Sequence, residues 1–149
     1  NREHSFPKSW FNDASPMNTD LFHLYPTDGK VNGQRGNYPF GEVANPTWTS
    51  LNGSKLGTSS YAGYNGVVFE PIDDYKGDFA RSYFYMVTRY EDKVSSWSSE
   101  MLNGTAYPAF STWARTCCWN GTLWILLAKR KLTGIMWCIT STSTIVIHL

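Results

Sequence analysis

Apolar positions between residues 77 and 92 recur at three- and four-residue spacing: Phe79, Ala80, Tyr83, Phe84, Val87 and Tyr90. That period places them on one stripe and predicts a core-facing helix, with Asp78 as its N-cap. Just before it, Val67-Val68-Phe69-Glu70 reads as a short buried strand stopped by Pro71. A second helix is expected near Pro108, running through Phe110 and Trp113. Residues 1–66 show neither period for long. They are dense in Gly, Asn, Pro, Ser and Thr, with Asn32-Gly33, Asn45-Pro46, Asn52-Gly53 and Asn65-Gly66 as breaks, so loops and short elements are expected there. No internal repeat is present.

Composition narrows the class. At 149 residues the chain has room for one domain with a real core. Hydrophobic residues are 42% and charged residues 17%, which excludes a disordered polar chain. Apolar runs such as Trp124–Ala128 are far too short to span a bilayer, so no membrane partner is expected. Aromatics reach 16%, a large stock of interior or stacking surface.

The net charge of +1 hides an asymmetry, because no acid follows Glu100. Residues 1–114 hold nine of the 13 Lys and Arg and all 12 Asp and Glu, a balance of 9 − 12 = −3. A basic surface over the whole body is excluded, so any nucleic-acid contact has to be local or assisted by a cation. Cys117, Cys118 and Cys138 all lie near the C-terminal end, which argues against a zinc-cysteine site or disulfide framework in the body.

The first 37 residues carry the chemistry. Arg2-Glu3-His4 and Pro7 are followed by Asp20-Leu21-Phe22-His23-Leu24-Tyr25-Pro26, then Val31-Asn32-Gly33-Gln34-Arg35-Gly36-Asn37. A carboxylate, an imidazole, a side-chain amide and a guanidinium are what phosphodiester hydrolysis needs. An imidazole takes a proton from water near neutral pH. Hard oxygen donors suit Mg²⁺, which keeps several waters. An Arg grips a phosphate in a bidentate manner. Spacing alone leaves the plainer roles open. His4 could be a hydrogen-bonded structural residue, Asn32 a turn residue, Glu3 a solvated acid, and Arg35 a salt-bridge anchor.

Taken in order, Glu3-His4 with Pro7, Asp20-Leu21-x-x-Leu24-x-Pro26, Val31-Asn32-Gly33-x-Arg35-x-Asn37, Phe69-Glu70-Pro71 and Lys76-Gly77-Asp78-Phe79-Ala80-Arg81 resemble the bacterial endonuclease I family. The resemblance covers about 1–114. It implies a single α+β domain built around a ββα-metal (His-Me) finger with additional helices. It also implies an extracellular or periplasmic, monomeric nuclease with little sequence choice, acting on DNA or RNA and leaving 5′-phosphates. On the matching positions, His4 is the general base that activates water, Glu3 and Asn32 are ligands of one divalent ion, expected to be Mg²⁺, and Arg35 is a phosphate contact. Adjacent strand residues face opposite sides, so Glu3 and His4 serve one site only where the strand ends and the chain bends. Two positions depart from the family pattern: Phe22 stands where many members carry His, and Asn18 where some carry an acid.

Residues 115–149 do not resemble the family. Synonymous codons exist for this stretch that, read in a shifted frame, give Asp-Met-Leu-Leu-Glu-Trp-His and further family-like segments. An out-of-frame tail is therefore expected over 115–149, and an N-terminally truncated nuclease domain over 1–114. The competing readings are a secreted, aromatic-rich binding module without catalysis, and an inactive nuclease fragment.

Overall fold

The computed structural model describes residues 1–120. Two short strands open it, β1 (Arg2–His4) and β2 (Leu24–Pro26), paired antiparallel with Arg2 opposite Pro26 and His4 opposite Leu24. Three 3-10 turns fill the connection, at Lys8–Phe11, Met17–Thr19 and Leu21–His23. Helix α1 (Gly29–Arg35) follows β2 directly. Asp28 caps it, its carboxylate accepting the N–H groups of Lys30 (2.8 Å) and Val31 (3.0 Å).

A second sheet has the order β3 (Val43–Thr49), β4 (Lys55–Ser59), β5 (Val67–Glu70), all antiparallel. The two register irregularities of β3 flank Pro46, which sits on an edge strand as a residue without an N–H must. Helix α2 (Asp73–Arg89) runs on into a single turn, α3 (Glu91–Val94), and a last helix, α4, occupies 112–120. The content is α+β, with mixed helices and two small sheets.

The strand expected at Val67–Glu70 is β5. The helix expected over 77–92 is α2, with shifted ends. It begins at Asp73, where Asp73 and Asp74 place negative charge in the first turn, and Asp78 pairs with Arg81 one turn on rather than capping. At Tyr90 the backbone leaves the helical region (φ −116°), so the stripe breaks there. The helix expected from Pro108 begins only at 112. Phe110 instead bridges Leu102, and Ala109 takes a left-handed φ of 60°.

The core gathers on α2. Tyr83 and Met86 are fully buried among Phe6, Phe11, Met101 and Phe110. Aromatic rings meet here, edge-to-face at Phe6–Tyr83 with centroids 5.3 Å apart. In α4, Ala114 and Cys118 lie four residues apart and both are buried. Residues 121–149, most of the stretch read as an out-of-frame tail, lie outside the described residues. Among the described residues, no helix is long and apolar enough to cross a membrane.

Candidate active site

The backbone of β1 organises the site. Thr27 N–H donates to the Asn1 carbonyl (3.0 Å) and Ser5 N–H to the His23 carbonyl (2.8 Å), so the odd positions of β1 turn their polar backbone towards β2. In an antiparallel pair the even positions then aim theirs at the free edge. A free edge carries carbonyls that need donors. Helix α1 supplies them from its side chains. Asn32 Nδ2 donates to the Arg2 carbonyl (3.4 Å) and Arg35 Nη1 to the His4 carbonyl (3.0 Å). The two residues are three apart and so lie on one face of α1, as two alternate carbonyls do along β1.

Arg35 is 2% exposed. Its guanidinium pairs with Glu3 Oε1, and Nη2 donates to the Ser5 carbonyl (2.6 Å) and to the Tyr83 hydroxyl oxygen (3.3 Å). It also lies 4.4 Å over the Phe40 ring. The sequence expectation placed Arg35 on a phosphate. In the fold its charge is turned inward, where it ties α1, the bend after β1 and α2 together. Burial is the larger influence on the Glu3 carboxyl and holds it above the ordinary value, with the Arg35 charge and hydrogen bond pulling the other way.

Glu3 Oε1 is taken by Arg35, while Oε2 has no hydrogen-bond partner among the described residues. The Asn32 amide uses its nitrogen on Arg2 and leaves Oδ1 similarly open. Both residues line one cavity, with Tyr25, Asp28, Asn52 and Tyr75 around it. A carboxylate and an amide that line the same cavity, each with an oxygen unpartnered among the described residues, are donors that suit a hard divalent cation that retains its waters. No group of three or more His, Cys, Asp or Glu that could hold a metal occurs among the described residues, so the donors offered here are the Glu3 carboxylate and the Asn32 amide rather than a cluster of acids or imidazoles.

His4 faces the other way, as strand alternation requires. It lines a separate cleft of about 490 Å³ with Arg2, Lys8, Asn18 and Leu21. The structure thus brings Glu3 and Asn32 to one cavity and His4 to another, with β1 between them. The His4 ring is tightly placed. Nε2 lies 3.0 Å from the Asn18 carbonyl oxygen, which can only accept, so Nε2 carries the proton. Nδ1 of the neutral ring is then a lone pair, the state a general base needs. Behind it sits the His23 ring, 5.2 Å away and edge-on. Burial drives the His23 imidazole below the ordinary histidine value, outweighing its bond to the Met17 carbonyl (2.7 Å).

The sequence reading left Arg2 and Lys8 without a role, yet both line the His4 cleft. Arg2 makes no ion pair among the described residues, whereas Lys8 is paired with Asp13 at 3.0 Å. Period two was the available signal: Arg2 and His4 alternate with Glu3 and share its opposite face.

The sequence model of the family described as endonuclease I matches residues 1–120. The extracellular ribonuclease of Bacillus amyloliquefaciens is 41% identical over 93 residues, 61% of this chain and 29% of its own length. The protein of the same name from Bacillus subtilis (strain 168) is 40% identical over 93 residues, with the same coverage. Endonuclease-1 of Buchnera aphidicola subsp. Baizongia pistaciae (strain Bp) is 35% identical over 79 residues, 53% of this chain and 31% of its own length. The chain therefore spans about three tenths of the relatives it matches. No solved structure matches the chain. With the family match running through β1, β2, α1 and on to the described end of α4, the chain belongs to the endonuclease I family.

Proposed function

We propose that this chain carries the hydrolytic site of a nuclease that cleaves phosphodiester bonds in DNA or RNA with little sequence choice. The observation that carries the reading is the His4 ring, whose Nε2 proton is committed to the Asn18 carbonyl while Nδ1 is left as a base. Names of the relatives, ribonuclease and endonuclease, support the substrate class.

In this reading His4 Nδ1 takes the proton of the attacking water. Glu3 Oε2 and Asn32 Oδ1 hold a divalent cation, Mg²⁺ by donor type, together with its waters. When bound, the cation supplies positive charge to the phosphate oxygens and the leaving oxygen. Because His4 and the Glu3–Asn32 pair line separate cavities, in this reading the phosphodiester has to pass around the end of β1, after His4. Arg35 acts through Glu3, fixing its carboxylate and the carbonyls of His4 and Ser5. Arg2 offers the open guanidinium for the flanking phosphate. The β-β-α order of β1, β2 and α1 is the frame of the metal finger proposed here.

Plasmid nicking and RNA degradation test this directly. Cleavage is expected with Mg²⁺, is lost in EDTA, and falls by two to four orders of magnitude in His4→Ala, the usual range for a general base. Cleavage that persists in EDTA, or an active His4→Ala protein, overturns the assignment. A separate readout concerns the cation: Mg²⁺ raises the thermal midpoint of the chain, and Asn32→Ala removes that rise.

The name of the Bacillus relatives supports an extracellular protein. We further propose that the tail expected to be out of frame over 115–149 is so beyond residue 120, where the family match ends. Resequencing the locus is expected to recover the missing base, and an intact frame encoding this tail in independent clones overturns it.

A further inference from the structure

Leu21 and Phe22 are 75% and 72% exposed, two large apolar side chains standing side by side in water. Their backbone is held from several directions. Phe22 N–H donates to Asp20 Oδ1 (2.9 Å), and its carbonyl accepts from Ser82 Oγ on α2 (3.1 Å). Asp20 is itself gripped by the hydroxyls of Tyr85 (2.8 Å) and Tyr90 (2.6 Å), and Ser82 by that of Tyr25 (2.5 Å). The Phe22 ring rests against Tyr85 with centroids 5.2 Å apart. An exposed aromatic whose backbone is already fixed loses little further entropy when something stacks on it.

The position of this pair gives it a substrate. Leu21 lines the His4 cleft, and the ring of His23, on the other side of Phe22 in sequence, touches the His4 ring. Arg2 and Lys8 stand in that cleft, Lys8 paired with Asp13 and Arg2 without an ion pair among the described residues. Arg81 shares a second hollow with Phe22, Tyr25 and Tyr85, where Asp78 pairs with it. An exposed aromatic next to a cleft that holds an unpaired cation, here Arg2, is an arrangement that binds single-stranded nucleic acid, the backbone following the charge and a base lying on the ring.

We infer that Phe22, with Leu21 beside it, is a base-stacking platform for an unpaired nucleobase next to the phosphate held at His4. The inference rests on the nuclease reading and deepens it. A base inside a duplex already has both faces stacked and must be extruded at a cost before it reaches the ring. The enzyme therefore favours single-stranded, frayed or looped substrate.

The test compares the full chain with Phe22→Ala and Phe22→Trp on a single-stranded oligodeoxynucleotide and on a blunt duplex of the same sequence, both with Mg²⁺. Phe22→Ala is expected to lose roughly 5- to 100-fold in kcat/KM on the single strand, the range set by one stacked base. The loss on the duplex is smaller, and Phe22→Trp retains the single-strand rate. In EDTA, where no cleavage occurs, a single strand carrying 2-aminopurine is quenched by the unaltered chain and by Phe22→Trp but not by Phe22→Ala. An equal loss on both substrates, or an unchanged Phe22→Ala protein, overturns the platform. If the unaltered chain fails to cleave yet shows the Phe22-dependent quench, the platform stands and the catalytic reading falls; absence of both overturns both.

Discussion

At the scale of single residues, Arg35 and Asp20 show how a charge is made useful by what surrounds it. Arg35 satisfies one carboxylate, two backbone carbonyls and one hydroxyl from the interior. Removing it leaves Glu3 buried without a countercharge, so Arg35→Ala is expected to cost about 3–5 kcal/mol, read as a drop in the urea midpoint. Arg35→Lys restores little, because a compact ammonium cannot span acceptors laid out for a planar fork. A loss below about 1 kcal/mol, the size of a surface pair, would show that the pair contributes no more than an exposed one. Asp20 has the opposite balance. Burial acts against its charge, but bonds from Tyr90, the Phe22 N–H and Tyr85 outweigh it and hold the carboxyl below its ordinary value. The Tyr90 phenol is pushed up to about 12, by burial first and then by its bond to Asp20. A lowered carboxyl stabilises the fold above its unfolded pKa, and that contribution fades as pH falls through the folded value. Asp20→Asn is thus expected to be less stable than the parent from pH 7 down to 5, with the gap closing below about pH 4. A gap that stays constant to pH 2 would show that the carboxylate charge carries none of it.

At the scale of elements, short strands are specified by neighbours more than by their own sequences. Strand β1 has three residues and exists because β2 takes one edge and the side chains of α1 take the other. Strand β4 depends on Gly57 for a different reason. A Cβ there would run into the Asn45 carbonyl of β3 and come within 2.8 Å of Val43 Cγ1. Backbone cannot step aside as a flexible side-chain end can. Gly57→Ala is expected to destabilise the β3–β4 ladder by about 1–3 kcal/mol, measured by thermal unfolding, with the parent register disturbed at Pro46. A variant of unchanged midpoint would mean that β3 has room to shift.

At the scale of the whole molecule, charge decides how the chain meets a polyanion. Its first 114 residues carry nine Lys and Arg against twelve Asp and Glu, and several cations are already paired, among them Lys76 with Glu70 and Asp73. Lys8 and Arg81 are paired as well, with Asp13 and Asp78, which leaves Arg2 in the His4 cleft as the cation there without an ion pair among the described residues. One to three phosphate contacts predict a shallow slope of log affinity against log salt, roughly −0.7 to −2 for a single strand. Titrating single-stranded DNA binding in EDTA across salt concentrations measures it. A slope steeper than about −5 would require a cationic surface that the described residues do not provide.

Sequence alone determined the features whose physics is local. The 3.6-residue stripe of α2 and the apolar run of β5 were legible because each depends on residue type and near spacing. The roles expected of Glu3, His4 and Asn32 came from the family resemblance, since their spacing left plainer roles open. Tertiary structure decided whatever depends on which surfaces meet. It turned Arg35 inward, put Arg2 on the His4 face, set Glu3 and Asn32 on the other side of β1, and moved the start of α2 back to Asp73. It also left Phe22 displayed on a backbone fixed by α2. Burial of a charge and the free edge of a strand are settled by partners 30 or more residues away, such as Arg35 for Glu3, and a short-range pattern holds no record of them.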